Sequence, residues 1–261
     1  MFSSSVLAKL QRRLARHVVK RPKALRLSAP VVTFSFDDVP QSACLMGRRL
    51  LERFDAHGTY YVCGGYTGTV REQPMHTLAD LHSLMDSGHE IACHGYGHLD
   101  HQAQGPQRAS QDMDRNRRFL QELGAAQGGE LNFAYPFGCV SAGIKRVVQG
   151  RYLSARGVVG GQHLGSADLN LLGAVPLYDA TITPERVSAL IEHNAREGGW
   201  LVFFTHGVLD RPGAYDCSPQ LLAHALNVVQ GTGSQVRSVR SVLGAGASAA
   251  YPASVSEARA A

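Results

Sequence analysis

The chain carries no Cys-x-x-Cys pair, no long uncharged apolar run and no internal repeat. Each absence removes a class of protein. The five cysteines, Cys44, Cys63, Cys93, Cys139 and Cys217, form an odd set, which argues against a disulfide framework and suits reduced, buried thiols in a cytosolic protein. Without an apolar run after Met1, neither a secretory signal nor a membrane span is expected. Charge is also sparse, at 18% of residues and a net +5. Much of the basic excess lies in the first 26 residues, at Lys9, Arg12, Arg13, Arg16, Lys20, Arg21, Lys23 and Arg26. The remainder therefore offers no basic stripe to nucleic acid. What is present is 261 residues at 44% hydrophobic, enough for one large α/β domain.

Short β-like runs recur at 31–36, 59–63, 89–93, 131–135, 153–157, 173–178, 200–205 and 235–239. Helical spacing fills many of the gaps, at 42–56, 77–87, 107–123, 141–149, 184–197 and 218–230. This alternation predicts a parallel sheet with helices outside, and so many repeats favour a (β/α) barrel over an open sheet. The expected organisation is an N-terminal extension over 1–28, a barrel over 29–243 and a loosely ordered tail over 244–261. In the extension, Val6, Leu7, Leu10, Leu14 and Val18 recur at helical spacing among the basic residues. Such a helix either rests on an anionic membrane surface, as a peripheral contact through residues 1–26, or packs across one end of the domain.

Two clusters carry the chemistry. Asp37 and Asp38 stand side by side where the apolar run Val31–Phe36 stops, and His94 and His98 come after the run at 89–93. Adjacent residues on a strand point to opposite faces, so both carboxylates serve one site only if the strand has ended and the backbone turns. Pro40, which lacks a ladder donor, fits that turn. Alone, Asp-Asp after a strand is ordinary turn chemistry, and two histidines a helical turn apart can be a solvated face. Together they make a divalent-metal set with one carboxylate left over for proton transfer. In a parallel barrel, catalytic groups come from the C-terminal ends of different strands. That geometry gathers Asp37 and Asp38, His94 and His98, the segment Tyr135-Pro136-Phe137-Gly138, and Thr205-His206-Gly207 on one face.

These residues resemble the polysaccharide deacetylases, the NodB-homology fold of carbohydrate esterase family four. The likeness runs from about 31 to about 240 through Ser-Phe-Asp-Asp, Gly-His-Glu-Ile-Ala-Cys-His-Gly-Tyr-Gly-His, Phe-Ala-Tyr-Pro-Phe-Gly and Leu-Val-Phe-Phe-Thr-His, in that order. The resemblance implies a distorted barrel of seven to eight strands and metal-dependent hydrolysis of an N-acetyl group on an amino sugar. It implies Asp37 as catalytic base, His206 as general acid, and Asp38, His94 and His98 as metal ligands. The backbone N–H of Phe137 would stabilise the oxyanion, and Tyr135, Pro136 and Phe137 would contact substrate. The metal implied is Zn²⁺ first, with Co²⁺, Ni²⁺, Mn²⁺ or Fe²⁺ accepted by related donor sets.

The chain departs from the pattern at three residues and in one whole motif. Val39 stands where Gly often comes after the two aspartates, and Gly95 where Ser or Thr often comes after the first histidine. Ala134 occupies the position of an Arg that pairs with the base; Arg156, at the end of the next β-like run, is the candidate replacement. The fourth motif, which tunes the acid histidine, is not recognisable, leaving Asp168, Asp179 and Asp210 as candidates. The expected protein is an N-deacetylase of a polysaccharide, oligosaccharide or lipid-linked glycan intermediate, cytoplasmic or at the inner face of the membrane, in cell-envelope polysaccharide biosynthesis. Two other readings stay open at this stage: a hydrolase of another C–N bond, such as a formamide or cyclic amide, and a catalytically silent carbohydrate-binding relative.

Overall fold

The computed structural model describes residues 13–126 and 131–244. Strand and helix alternate along it: β1 (Pro22–Ala24), β2 (Val31–Asp37), α1 (Arg48–Glu52, continuing a π turn over Ala43–Gly47), β3 (Thr59–Val62), α2 (Leu78–Asp86), β4 (Glu90–Cys93), α3 (His101–Glu122), β5 (Phe133–Ala134), α4 (Ala142–Gln149), β6 (Ala155–Arg156), β7 (Gln162–His163), β8 (Ser166–Asp168), β9 (Val175–Pro176), α5 (Pro184–Glu197), β10 (Trp200–Thr205), α6 (Pro219–Gly231), β11 (Gln235–Val236) and α7 (Val239–Leu243). Helix starts obey local chemistry: Thr77, Ser141, Thr183 and Ser218 each accept a backbone N–H from the first turn of α2, α4, α5 and α6. Within α3, Gly105 at φ 80° and Pro106 break the helix, which is why helical spacing in the sequence begins at 107.

The longest strands, β2 and β10, are buried along their whole length. Continuous apolar runs of this kind belong to parallel sheets covered on both faces. They pair in parallel from Trp200↔Val31 to Thr205↔Phe36 and form the centre of a sheet ordered β6-β5-β4-β3-β2-β10-β7. β11 joins beside the start of β2, and β9 beside the end of β10. One stretch of chain spans the two edges: Leu172 bridges to Arg156, and Val175–Pro176 pair with Phe203–Phe204. The curled sheet is the distorted (β/α) barrel that the alternation predicts. The 235–239 run pairs only at Gln235–Val236, because Ser238 caps α7 and ends the strand. The antiparallel pair β1–β8 and the short β7 have no sequence forerunner.

Alternation sorts the side chains into two sets. Val32, Phe34, Phe36, Tyr60, Val62, Leu201 and Phe203 face the helices in the main core. Val31, Trp200, Val202 and Phe204 pack in a second cluster with Leu172, Ala174 and Tyr178. Its floor is polar: Glu90 accepts from Thr59 Oγ1 at 2.9 Å, Asn132 Nδ2 at 2.6 Å and the Arg240 backbone N–H at 2.8 Å. Ser154 completes it by donating to Asn132. These bonds tie α7 to the barrel bottom.

The chain before β2 is bound to the domain. Lys145 Nζ, fully buried, donates to the carbonyls of Ala15 and Val18 and pairs with Asp168 at 3.1 Å. Arg21 donates its backbone N–H to Asp168 and its guanidinium to the Leu153 carbonyl. Most of the apolar positions expected to form an N-terminal helix, and the expected tail after Gly244, lie outside the described residues. Among the described residues, no helix is long and apolar enough to cross a membrane.

Replacing Glu90 by Ala strands three donors at the barrel floor. An unfolding loss of about 3 kcal/mol is expected, read as a lower denaturant midpoint at unchanged slope.

Candidate active site and metal centre

Parallel register brings the C-terminal ends of the strands together. Asp37 closes β2 opposite Tyr61, and His94 comes just after β4, where Cys93 pairs with Val62 and Phe133. His206 comes just after Thr205, the partner of Phe36. After Asp37 the backbone turns sharply, with Asp38 and Val39 both at φ 58°. A β-branched residue in that region is uncommon, and a glycine would meet the requirement without a Cβ penalty. Here the turn is clamped instead: Val39 is fully buried, and its carbonyl accepts from both the backbone N–H and the Nδ1 of His76. Of the six described non-glycine residues at positive φ, four, Asp38, Val39, His98 and Phe137, lie on loops of this site. Strain gathers where the chemistry is arranged.

Asp38, His94 and His98 each offer a ligand atom within 4.8 Å of the other two. Asp38 Oδ1 is 3.8 Å from His94 Nε2 and 3.4 Å from His98 Nε2. His94 Nδ1 lies 2.9 Å from the Ala134 carbonyl, which can only accept, so Nδ1 holds the proton and Nε2 presents its lone pair. Burial is the largest influence on both imidazoles and pushes each down to about 4, so both are neutral ligands at physiological pH. Cys63 Sγ donates to Asp38 at 3.5 Å, and burial pushes its thiol up, keeping it protonated. One carboxylate with two neutral imidazoles fits a divalent cation such as Zn²⁺, Co²⁺, Ni²⁺, Mn²⁺ or Fe²⁺.

The second carboxylate reaches the same imidazole, with Asp37 Oδ2 4.0 Å from His94 Nε2, but is anchored by a guanidinium. Arg156 Nη2 donates to Asp37 Oδ1, and both side chains are buried. Burial pushes the Asp37 carboxyl up, but Arg156, His94 and His206 outweigh it and hold the group below its ordinary value. The cation arrives from one strand away, since Ala134 on β5 and Arg156 on β6 are register partners. Ala92 and Ala134 pack against Tyr61 there, and the small side chains leave room for the guanidinium, 4.9 Å from the Tyr61 ring.

His206 Nδ1 lies 3.1 Å from the Tyr215 carbonyl, and Nε2 is 3.9 Å from Asp38 Oδ2. The rings of Tyr178 and Tyr215 flank it at 5.9 and 5.6 Å. A backbone carbonyl thus occupies the place where the sequence suggested a carboxylate. Asp168 is engaged with Lys145, and Asp179 accepts from the Ser218 N–H. The adjacent Asp216 supports the loop by accepting from the Gly207 N–H at 2.7 Å. Asp37, Asp38, His94, His98 and His206 open on a cleft of about 830 Å³ that Tyr178, Tyr215 and Asp216 also line. Phe137 stands on its lip, 61% exposed, with its ring 4.3 Å from that of His98. Pro136 is buried, and Tyr135 lies beneath the cleft with its hydroxyl donating to the Asn170 carbonyl. Sequence reasoning missed Tyr215, Asp216 and Asp112. For Asp112 a signal exists: it is acidic yet sits on the buried stripe Ala109, Met113, Asn116 and Leu120 of α3.

The site is a carboxylate–imidazole triad able to hold a cation at the C-terminal mouth of a parallel barrel, with an arginine-paired carboxylate and a histidine beside it. Residues 24–150, just under half of the chain, match the family model described as polysaccharide deacetylase. Asp37 to Gly138 fall inside the match, whereas Arg156 and His206 lie beyond it. No curated protein matches the sequence. Among solved structures, a family 4 acetyl xylan esterase from Clostridium thermocellum, in complex with a cobalt ion, aligns at TM-score 0.59 and 18% identity over 82% of this chain and 90% of that one. The chitin deacetylase of the fungal pathogen Colletotrichum lindemuthianum aligns at TM-score 0.59 and 14% identity, covering 85% and 92%. A family 4 pseudoenzyme from Bacillus anthracis aligns at TM-score 0.55 and 12% identity, covering 84% and 66%.

Purified protein stripped of metal is expected to rebind one divalent ion per chain, and Asp38→Ala or His98→Ala to lose it, by calorimetric titration. Undiminished binding in both variants would place the ion elsewhere.

Proposed function

We propose that the protein is a metal-dependent deacetylase that hydrolyses the N-acetyl group of an amino sugar in a polysaccharide, oligosaccharide or lipid-linked glycan intermediate. One observation carries this reading: a cation-binding triad, an arginine-paired carboxylate and a histidine all open on one cleft. An amide is a poor electrophile with a poor leaving group, so its hydrolysis needs both carbonyl polarisation and protonation of nitrogen. A divalent cation held by Asp38, His94 and His98 would supply Lewis-acid polarisation of the acetamide carbonyl and of water.

The remaining work falls to the chain's own groups. Asp37, kept ionised by Arg156, accepts the proton of the attacking water. Arg156 occupies Oδ1 and leaves Oδ2 toward His94 and the cleft. The Phe137 N–H, on the cleft lip, stabilises the developing oxyanion. His206, oriented by the Tyr215 carbonyl, delivers a proton from Nε2 to the departing amine. Phe137 and Tyr215, each 61% exposed, give the sugar apolar faces to lie on. The same groups would cleave an O-acetyl ester, a better electrophile, so the two bonds must be compared directly. In this reading the basic N-terminal stretch adds contact with an anionic membrane. Leu14 and Val18, 55% and 42% exposed beside Arg13 and Arg16, support it. Deleting residues 1–26 should then release the protein from anionic vesicles; unchanged co-sedimentation would remove that part.

With metal restored, acetate release from N-acetylglucosamine oligomers is expected to exceed release from O-acetylated xylan and from formamides. Glycan binding with no acetate released would mark a silent relative instead. Arg156→Ala should lower turnover about a hundredfold, within the range of general acid–base assistance. Ala134→Arg in that background should recover at least part of it, because the register partner restores a cation beside Asp37. Full turnover in Arg156→Ala would refute the pairing's role.

A further inference from the structure

We propose that Asp112 is the positioning residue of the metal-ligand loop, and that its carboxylate replaces the hydroxyl missing at Gly95. The inference rests on the reading of His94 and His98 as cation ligands.

The loop that joins the two histidines has little intrinsic reason to hold its shape. It contains two glycines, Gly95 at φ 77° and Gly97, and ends with His98 itself at φ 51°. A single carboxylate holds it. Asp112 Oδ2 accepts the N–H of Tyr96 at 3.0 Å, and Oδ1 accepts that of Gly97 at 2.8 Å. Successive backbone N–H groups converging on one anion form a concave nest, so the loop is moulded around the Asp112 side chain. The carboxylate is itself fixed: His101 Nε2 donates to Oδ2 at 2.9 Å, and the two side chains are 0% and 7% exposed. One turn later on α3, Asn116 accepts from the Gly64 N–H and donates to the Val62 carbonyl, so the same helix face supports the neighbouring loop.

Gly95 is explained by this arrangement. A Cβ added there would lie 2.5 Å from Asp112 Oδ2 and 3.2 Å from His101 Cε1. A side chain at 95 and the carboxylate at 112 therefore compete for one volume. A serine or threonine hydroxyl after His94 would brace the loop from within. In this chain the brace comes from a helix, and the space at 95 is kept clear for it. The consequence for the site is the position of His98, whose Nε2 lies 3.4 Å from Asp38 Oδ1. Hydrogen bonds that fix ligand orientation carry affinity as well as structure.

The test uses the full chain with Co²⁺ as probe. It reads the dissociation constant by competition with a chromophoric chelator, the visible d–d spectrum, and the melting temperature in excess chelator. Asp112→Ala should weaken Co²⁺ binding about 10–100-fold and alter the spectrum, with Asp112→Asn intermediate. Glu90→Ala, destabilised far from the loop, should keep wild-type affinity and spectrum. Gly95→Ser crowds the same carboxylate from the other side and serves if Asp112→Ala does not fold. Its loss of affinity should combine with that of Asp112→Asn to less than the sum of the two. Wild-type affinity and spectrum in Asp112→Ala despite a lower melting temperature, or strictly additive losses in the pair, would overturn the inference. A wild-type chain that binds no Co²⁺ would overturn the ligand reading and this inference together.

Discussion

An ionised carboxylate inside a barrel needs a cation beside it, and the top of this barrel is arranged around the pair of Asp37 and Arg156. The pair divides two adjacent aspartates between two tasks. Arg156 occupies one oxygen of the ionised Asp37 and leaves the other 4.0 Å from His94, whereas Asp38, one residue on and past a sharp turn, lies within 3.8 Å of both neutral imidazoles. Were both carboxylates to face the same imidazoles without the guanidinium, like charges would compete for one site and raise each other's proton affinity. In the proposed reading, this division would let one cleft hold a cation and a proton acceptor together.

That division is supported at every neighbouring level. Ala92 and Ala134 give up side-chain volume on the inner face so that Arg156 can cross from β6 to β2. Loops that place Asp38, His98 and Phe137 adopt backbone angles that cost energy, and the clamps around them, His76 on Val39 and Asp112 on Tyr96 and Gly97, offset it. The longest bonded strands and the polar floor around Glu90 form a rigid frame below, so the strained turns are carried at the mouth, where groups must converge.

Much of this is legible in the sequence, for physical reasons that also mark where reading stops. Fully buried parallel strands announce themselves as continuous apolar runs, so β2 and β10 are plain, and the Asp-Asp turn and the two histidines are placed by their position at the ends of such runs. Arg156 can be picked out because the family resemblance implies an Arg where Ala134 stands, and a basic residue ends the next β-like run. By contrast, β1 and β8 pair through three residues each with no apolar pattern to declare them. The orientation of His206 depends on the Tyr215 carbonyl, and a backbone oxygen leaves no trace in residue identity. Asp112 is easily overlooked because a helix that looks solvated hides one acid on its buried stripe.

The most direct measurement is a crystal structure of the cobalt-loaded protein with anomalous scattering collected at the cobalt edge. A single strong peak is expected between Asp38 Oδ1, His94 Nε2 and His98 Nε2, with the Arg156 guanidinium still on Asp37 and His206 Nε2 facing the ion. A peak bound by other residues, or an Arg156 side chain turned away from Asp37, would contradict the arrangement on which the proposed chemistry depends.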